Sequence, residues 1–272
     1  MIKLVALDLD GTLVNEQLQI SDRVLRLLNH LITKTDVRVV IATGRMFLSA
    51  LPFARQIGVV EPIVTYQGAM VRELTEGYAQ RFHAPIPIQV ATEVMQTLLA
   101  EKYHINLYMD DRMWTHPDNE YASYYSQKAG IQPMFHDDLL ACMTVSPTKL
   151  MVIDDHRLDR LLDYLGEHFA GRLAFCRSRT NFCEIIDISA SKWNALYILA
   201  QEWGIQPDEI MAIGDQGNDL SMIQQAGIGV AMGNAPDDVK KHANYVAPSI
   251  GQDGAAEAIE RFVLGHLPLK AG

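Results

Sequence analysis

The chain has 272 residues, which suggests about two domains, and its 49% hydrophobic and 21% charged composition is that of a globular protein rather than a disordered or fibrous one. With 23 Lys+Arg against 33 Asp+Glu the net charge is −10 and no basic cluster stands out, which argues against a nucleic-acid partner. No apolar run approaches the roughly 20 residues that span a bilayer, so no membrane association is expected.

The N-terminus runs directly into Ile2-Lys3-Leu4-Val5-Ala6-Leu7, which reads as a strand and not as a signal peptide. Cys142, Cys176 and Cys183 lack metal-ligand spacing and read as reduced thiols, so a cytoplasmic location is expected. The first strand ends in Asp8-Leu9-Asp10-Gly11-Thr12-Leu13. Ligands of open parallel sheets bind beyond the carboxyl ends of strands, so two carboxylates there are placed for chemistry. A plain turn or a Ca²⁺ loop is the competing reading, although Leu13-Val14-Asn15 does not continue as an EF-hand loop.

Ser21 is a candidate N-cap for a helix to about Lys34, with Val24, Leu25, Leu28, Leu31 and Ile32 on one face. An apolar strand, Val37 to Ile41, then leads into Thr43-Gly44-Arg45, where a hydroxyl and free N–H groups at a helix N-terminus would make an anion site. A simple N-cap is the alternative. A third strand, Ile63 to Tyr66, precedes Gln67-Gly68.

From Ala84 to Ile185 the rhythm changes. Helical patterns at Gln89 to Lys102 and Leu158 to Phe169 are interleaved with strand-like Ile105 to Met109, Lys149 to Ile153 and Arg172 to Phe175. This reads as an α+β domain inserted at 84–185 into a core made of 1–83 and 186–272. Met109 to Trp114 reads as a turn and strand rather than a metal site, and the nine histidines show no ligand spacing.

Lys192 opens a predicted helix, where its charge opposes the helix dipole and calls for an anionic partner, unless it is simply an exposed lysine. Ile210 to Ile213 reads as another strand, followed by Gly214-Asp215-Gln216-Gly217-Asn218-Asp219, a solvated loop or another set of carboxylates at the same edge. Ile228 to Val230 is the last of these strands.

In this order the motifs, together with Ala231-Met232-Gly233-Asn234-Ala235, resemble those of haloacid dehalogenase-like phosphatases of the Cof type, with a type IIB cap. The resemblance runs through the whole chain and implies an α/β fold: a Rossmann-like parallel sheet core with an inserted α+β cap domain. It implies a Mg²⁺-dependent phosphatase of small phosphorylated metabolites, such as sugar phosphates. Asp8 would be the nucleophile that forms an aspartyl-phosphate, and Asp10 the acid and base. Mg²⁺ would be held by Asp8, Asp10 (backbone carbonyl) and Asp215, with Asp219 orienting the shell. Leu9, Thr43, Gly44, Arg45, Lys192 and Asn218 would bind phosphate.

The family often carries Asn-Gly where this chain has Gln67-Gly68. In the cap, Arg177 to Asn181 offers donors, Arg179 foremost, that could read the substrate; solvated loop charges are the plain alternative. A phosphotransferase such as a phosphomutase, or a non-catalytic phosphometabolite-binding regulatory module, are the rival functions.

Overall fold

The computed structural model describes residues 1–117, 121–122 and 130–265; the side chain of Arg179 lies outside the described residues. Strand β1 (Leu4–Leu7) is buried throughout. Side chains alternate along a strand, so Val5 and Leu7 join one core while Leu4 and Ala6 join another. The first core is shared with α1 (Asp22–Lys34), α2 (Phe47–Ile57) and, near the C-terminus, α9 (Gly254–Phe262). The second is shared with α6 (Lys192–Glu202). Helices on both faces are what a parallel sheet needs.

That sheet has the order β14-β13-β12-β1-β2, every pair parallel. Its other strands are β2 (Arg38–Ile41), β12 (Ile210–Gly214), β13 (Ile228–Ala231) and β14 (Tyr245–Val246). Short helices α7 (Leu220–Gln225) and α8 (Asp237–Lys240) lie between its strands. Helix α1 starts as its sequence predicts: the Ser21 hydroxyl accepts the Val24 N–H, and Val24, Leu28 and Leu31 are its buried face.

Beside the core lies an antiparallel sheet of β3 (Ile63–Thr65), β4 (Met70–Arg72) and β5 (Gln80–His83). It is tied to the core by a parallel bridge from Ala42 to Val64. The 3-10 turn Tyr66–Gly68 joins β3 to β4.

The cap is a six-stranded sheet of order β10-β11-β9-β6-β7-β8. Its strands are β6 (His104–Met109), β7 (Arg112–Thr115), β8 (Met134–Phe135), β9 (Lys149–Ile153), β10 (Leu173–Arg179) and β11 (Phe182–Asp187). Helices α3 (Ile88–Ala100), α4 (Leu139–Cys142) and α5 (Leu158–Phe169) cover one face through Ile105, Leu107, Leu150, Val152, Cys183 and Ile185. The opposite face, with Tyr108, Met151, Ile153, Phe182 and Ile186, packs on Met46, Tyr66, Ala69 and Met70 of the core.

One expectation changes here, and one strand is new. Arg177 to Asn181 is not a free loop before the return to the core: Arg177–Arg179 end strand β10, and Thr180 and Asn181 make the turn into β11. The strand β11 escaped the sequence reading because Glu184 interrupts its apolar run. Arg177 sits on the helix-covered side, where its Nη2 donates to Asp159 Oδ1 at 2.8 Å, and Asn181 Nδ2 donates to Asp155 Oδ1 at 2.9 Å.

Candidate active site

Because the core strands are parallel, their carboxyl ends gather at one edge. The Asp8 N–H donates to the Ile213 carbonyl at 3.1 Å, the Ala42 N–H to the Leu7 carbonyl at 2.8 Å and the Thr43 N–H to the Val64 carbonyl at 2.9 Å. Asp8, Thr43 and Asp215 are thereby brought to the same edge and buried.

Lys192 is the first residue of α6, whose Ser191 cap accepts the Asn194 N–H at 3.0 Å. Far from being an exposed lysine, it is fully buried, and its Nζ donates to Asp8 Oδ1 and to Asp219 Oδ1, each at 2.6 Å. These carboxylates are the anions that a cation at the positive end of a helix requires. Asp219 Oδ2 accepts the N–H groups of Asp215 (2.9 Å) and Gln216 (3.0 Å), so this carboxylate ties the Gly217–Asp219 turn to Lys192.

Asp215 accepts from Thr12 Oγ1 (3.4 Å), Gln216 Nε2 (3.3 Å) and Asn234 Nδ2 (3.3 Å). Asn234 also donates to the Gly11 carbonyl at 2.9 Å. Gly11 has φ +85°, and a Cβ there would stand 2.2 Å from Asp215 Oδ2, so glycine is required on both counts.

Oxygens of Asp8, Asp215 and Asp219 lie within 4.8 Å of one another. Three carboxylates therefore face one ammonium in a buried place. Burial, opposed by Lys192 and reinforced by Asp219 and Asp215, pushes Asp8 well above the carboxylate range. Burial and then the Asp219 charge push Asp215 up to about 7. Burial works against the charge of Lys192, but Asp219 and Asp8 overcome it and raise its pKa. A surplus of negative charge on hard oxygen donors fits a hard divalent cation such as Mg²⁺, with Asp8 and Asp215 as the carboxylates available to it.

Asp10 is in a two-toothed pair with Arg45: Nε to Oδ2 at 2.7 Å and Nη2 to Oδ1 at 2.6 Å. The guanidinium also donates to Ser49 Oγ at 3.2 Å and lies over the Phe53 ring. Arg45, expected among the phosphate binders, here holds Asp10.

Thr43 and Gly44 do not sit at a helix N-terminus as expected. Helix α2 begins later, at Phe47, and its first N–H is capped from the cap domain by Asp111 Oδ1 at 3.2 Å. Thr43 Oγ1 accepts the Arg45 N–H at 3.2 Å, which shapes the loop locally. Leu9 is buried, and its carbonyl accepts the N–H groups of Leu13 (2.9 Å) and Val14 (2.7 Å), turning the loop after β1. Asn218 Nδ2 donates to Gln67 Oε1 at 2.9 Å.

The one cap residue expected at the site from the sequence is Arg179, whose side chain lies outside the described residues. The structure places Lys149 there: its Nζ donates to the Gly44 carbonyl and to Glu184 Oε2, both at 2.8 Å. Asp111 is a second link, accepting from Tyr66 Oη at 2.7 Å. The available signal was phase. Lys149 lies in register with Met151 and Ile153 on the core-facing side of β9, and Glu184 with Phe182 and Ile186 on β11.

The chain matches the haloacid dehalogenase-like hydrolase family over residues 5–259. It belongs to that family. Among solved haloacid dehalogenase-like hydrolases, one from Bacteroides thetaiotaomicron is 30% identical, with a TM-score of 0.85 and coverage of 96% of this chain and 99% of the other. The 5-amino-6-(5-phospho-D-ribitylamino)uracil phosphatase of Bacillus subtilis is 28% identical, covering 95% of this chain and 97% of its own. The HMP-PP phosphatase of Serratia proteamaculans is 29% identical, covering 88% and 87%. In this haloacid dehalogenase-like hydrolase no helix among the described residues is long and apolar enough to cross a membrane.

Proposed function

We propose that this chain is a Mg²⁺-dependent phosphatase of small phosphorylated metabolites, working in the cytoplasm through an aspartyl-phosphate on Asp8. The observation that carries the reading is the buried set of Asp8, Asp215 and Asp219 around Lys192, at the sheet edge where Thr43 and Gly44 also end. Two related phosphatases whose names specify phosphorylated small molecules support the substrate class.

A carboxylate approaching a phosphate dianion meets like charge, and Mg²⁺ held by Asp8, the Asp10 carbonyl and Asp215 supplies the neutralising charge. Lys192 holds Asp8 in one orientation and adds a second positive charge. The Asp8 oxygen attacks phosphorus in line, which divides one hard displacement into two easier ones. Thr43, the Gly44 N–H and Lys192 receive the non-bridging oxygens, and Leu9 contributes through its backbone. Such positioning and electrostatics dominate phosphoryl transfer.

Asp10 gives a proton to the leaving oxygen and then takes one from the attacking water. It must first part from Arg45, and a substrate phosphate is an anion that can draw that guanidinium away. The cap supplies the roof, Lys149 its anchor on Gly44, and Arg179 a candidate contact to the leaving group.

The test is phosphate release by the purified chain, with Mg²⁺, from p-nitrophenyl phosphate and a panel of sugar, nucleotide and cofactor phosphates. Turnover by the wild type and none by a folded Asp8→Asn variant is expected. Near-normal turnover by Asp8→Asn would remove the reading.

A further inference from the structure

Three successive carbonyls of the loop after β2 are each held from outside that loop. The Thr43 carbonyl accepts the Gln67 N–H at 3.1 Å and the Arg45 carbonyl accepts the Tyr66 N–H at 2.9 Å, both from the turn after β3. The Gly44 carbonyl between them accepts Lys149 Nζ at 2.8 Å. The outer two are held by backbone of the core, whereas the middle one is held by a side chain of the cap. It belongs to glycine, the residue with the most backbone freedom to lose its place.

The other end of the same peptide is the Arg45 N–H, which donates to Thr43 Oγ1 at 3.2 Å. A peptide unit is planar, so fixing its carbonyl also fixes the direction of its N–H. Holding the Thr43 oxygen by a lone pair leaves the hydroxyl hydrogen for a phosphoryl oxygen. A cation on the carbonyl also polarises the peptide and strengthens the N–H as a donor. Lys149 and Glu184 are buried, and a buried ion pair adds little stability over well-packed apolar side chains, so folding alone does not account for the charge. The pair stands at the pivot of the cap. Pro147, just before Lys149, accepts the Ile86 N–H at 2.8 Å where the chain enters the cap, and Glu184 lies on β11, which leads out of it.

We propose that Lys149 is a positioning residue for the phosphoryl group: by holding the Gly44 carbonyl from the cap, it sets the peptide that orients the Thr43 hydroxyl and the Gly44 N–H toward that group. Glu184 keeps the ammonium on the carbonyl and cancels its charge toward the substrate. The proposal rests on the phosphatase reading above and extends it. Every donor expected on the phosphoryl group, Thr43, Gly44, Lys192 and Asn218, belongs to the core, yet through Lys149 the cap also acts on the part that all substrates share.

The test removes the bond to Gly44 without leaving a buried charge unpaired. Lys149→Met with Glu184→Leu does so, and Lys149→Leu with Glu184→Met stands in if that pair does not fold. Assayed where the variant is fully folded, the readouts are kcat/KM for p-nitrophenyl phosphate and for a hexose 6-phosphate, the inhibition constant of inorganic phosphate, and the shift in melting temperature on adding Mg²⁺. The double variant is expected to lose roughly 10- to 100-fold in kcat/KM, the cost of a small misplacement of positioning groups. The loss should be equal for both substrates, and phosphate inhibition should weaken in parallel. The Mg²⁺ shift should persist, because Asp8 and Asp215 are held by Lys192, Gln216 and Asn234. Wild-type kcat/KM and phosphate inhibition in the folded double variant would make the pair merely structural and overturn the proposal. So would a loss confined to the hexose phosphate, which would place Lys149 at the leaving group, or a lost Mg²⁺ shift, which would trace the defect to the carboxylates. The Asp8→Asn control separates the two levels: turnover surviving in it overturns the phosphatase reading and the proposal together, whereas turnover lost in it but intact in the double variant overturns the proposal alone.

Discussion

Lys149 of the cap and Glu184 form a buried pair at 2.8 Å, and the same Nζ donates to the Gly44 carbonyl of the core. Tyr108 and Tyr66 present their rings to that ammonium at 4.7 Å and 5.7 Å. Removing one partner of a buried pair leaves the other charge uncompensated, so Lys149→Met should destabilise the protein by about 3–5 kcal/mol. Replacing both, as Lys149→Met with Glu184→Leu, should recover much of that loss. Urea unfolding of the four proteins checks it, and strictly additive losses would show that the two side chains do not depend on each other.

Asp10→Asn should separate substrates by leaving group. A sugar alkoxide needs a proton as it leaves and p-nitrophenolate hardly does, so kcat should fall roughly 10²- to 10⁴-fold for a sugar phosphate and far less for p-nitrophenyl phosphate. Equal losses, measured by phosphate release, would argue against the proton-transfer role.

Mg²⁺ should both activate and stabilise. Chelation should abolish turnover, and Mg²⁺ at about 100 times its dissociation constant should add roughly 2.7 kcal/mol to folding. Asp215→Asn should lose most of that gain, because the loop of Asp215 otherwise stays tied by Asp219. Thermal melts with and without Mg²⁺, on wild type and variant, decide this; an equal shift in both would place the cation elsewhere.

His104 gives a pH dependence remote from the site. Burial pushes its pKa down to about 4, despite the 2.9 Å contact from Nε2 to Asn106 Oδ1, and His116 adds to the lowering. Unfolded, the ring takes its proton near pH 6.5; folded, it resists until about pH 4. Stability is therefore unaffected above the unfolded pKa and is lost as pH falls through this window. Between pH 7.5 and pH 5 the wild type should lose about 1–2 kcal/mol more than His104→Gln. Denaturant unfolding of both at the two pH values is the measurement, and identical pH slopes would refute it.

Short apolar strands and an amphipathic helix are local, periodic features, which is why β1, β9, α1 and α5 were legible almost to the residue. Strand β11 was not, because Glu184 breaks its apolar pattern and its partner Lys149 lies 35 residues away. Thr43 and Gly44 lie just beyond a strand end, as the sequence predicts. Their expected helix cap proved to belong to Asp111 of the cap domain, 64 residues from Phe47.

Side-chain period, together with the residues directly after each strand, was enough to read the parallel core, the inserted α+β domain and the order of the motifs from the chain alone. Which charged and polar groups meet was decided in three dimensions: Lys192 with Asp8 and Asp219, Arg45 with Asp10, Lys149 with Glu184 and Gly44, and Gln67 with Asn218. Hydrophobic burial repeats along an element and can be read from its spacing, whereas an ion pair or an amide contact joins two distant points of the chain. Such a contact leaves no period in either segment.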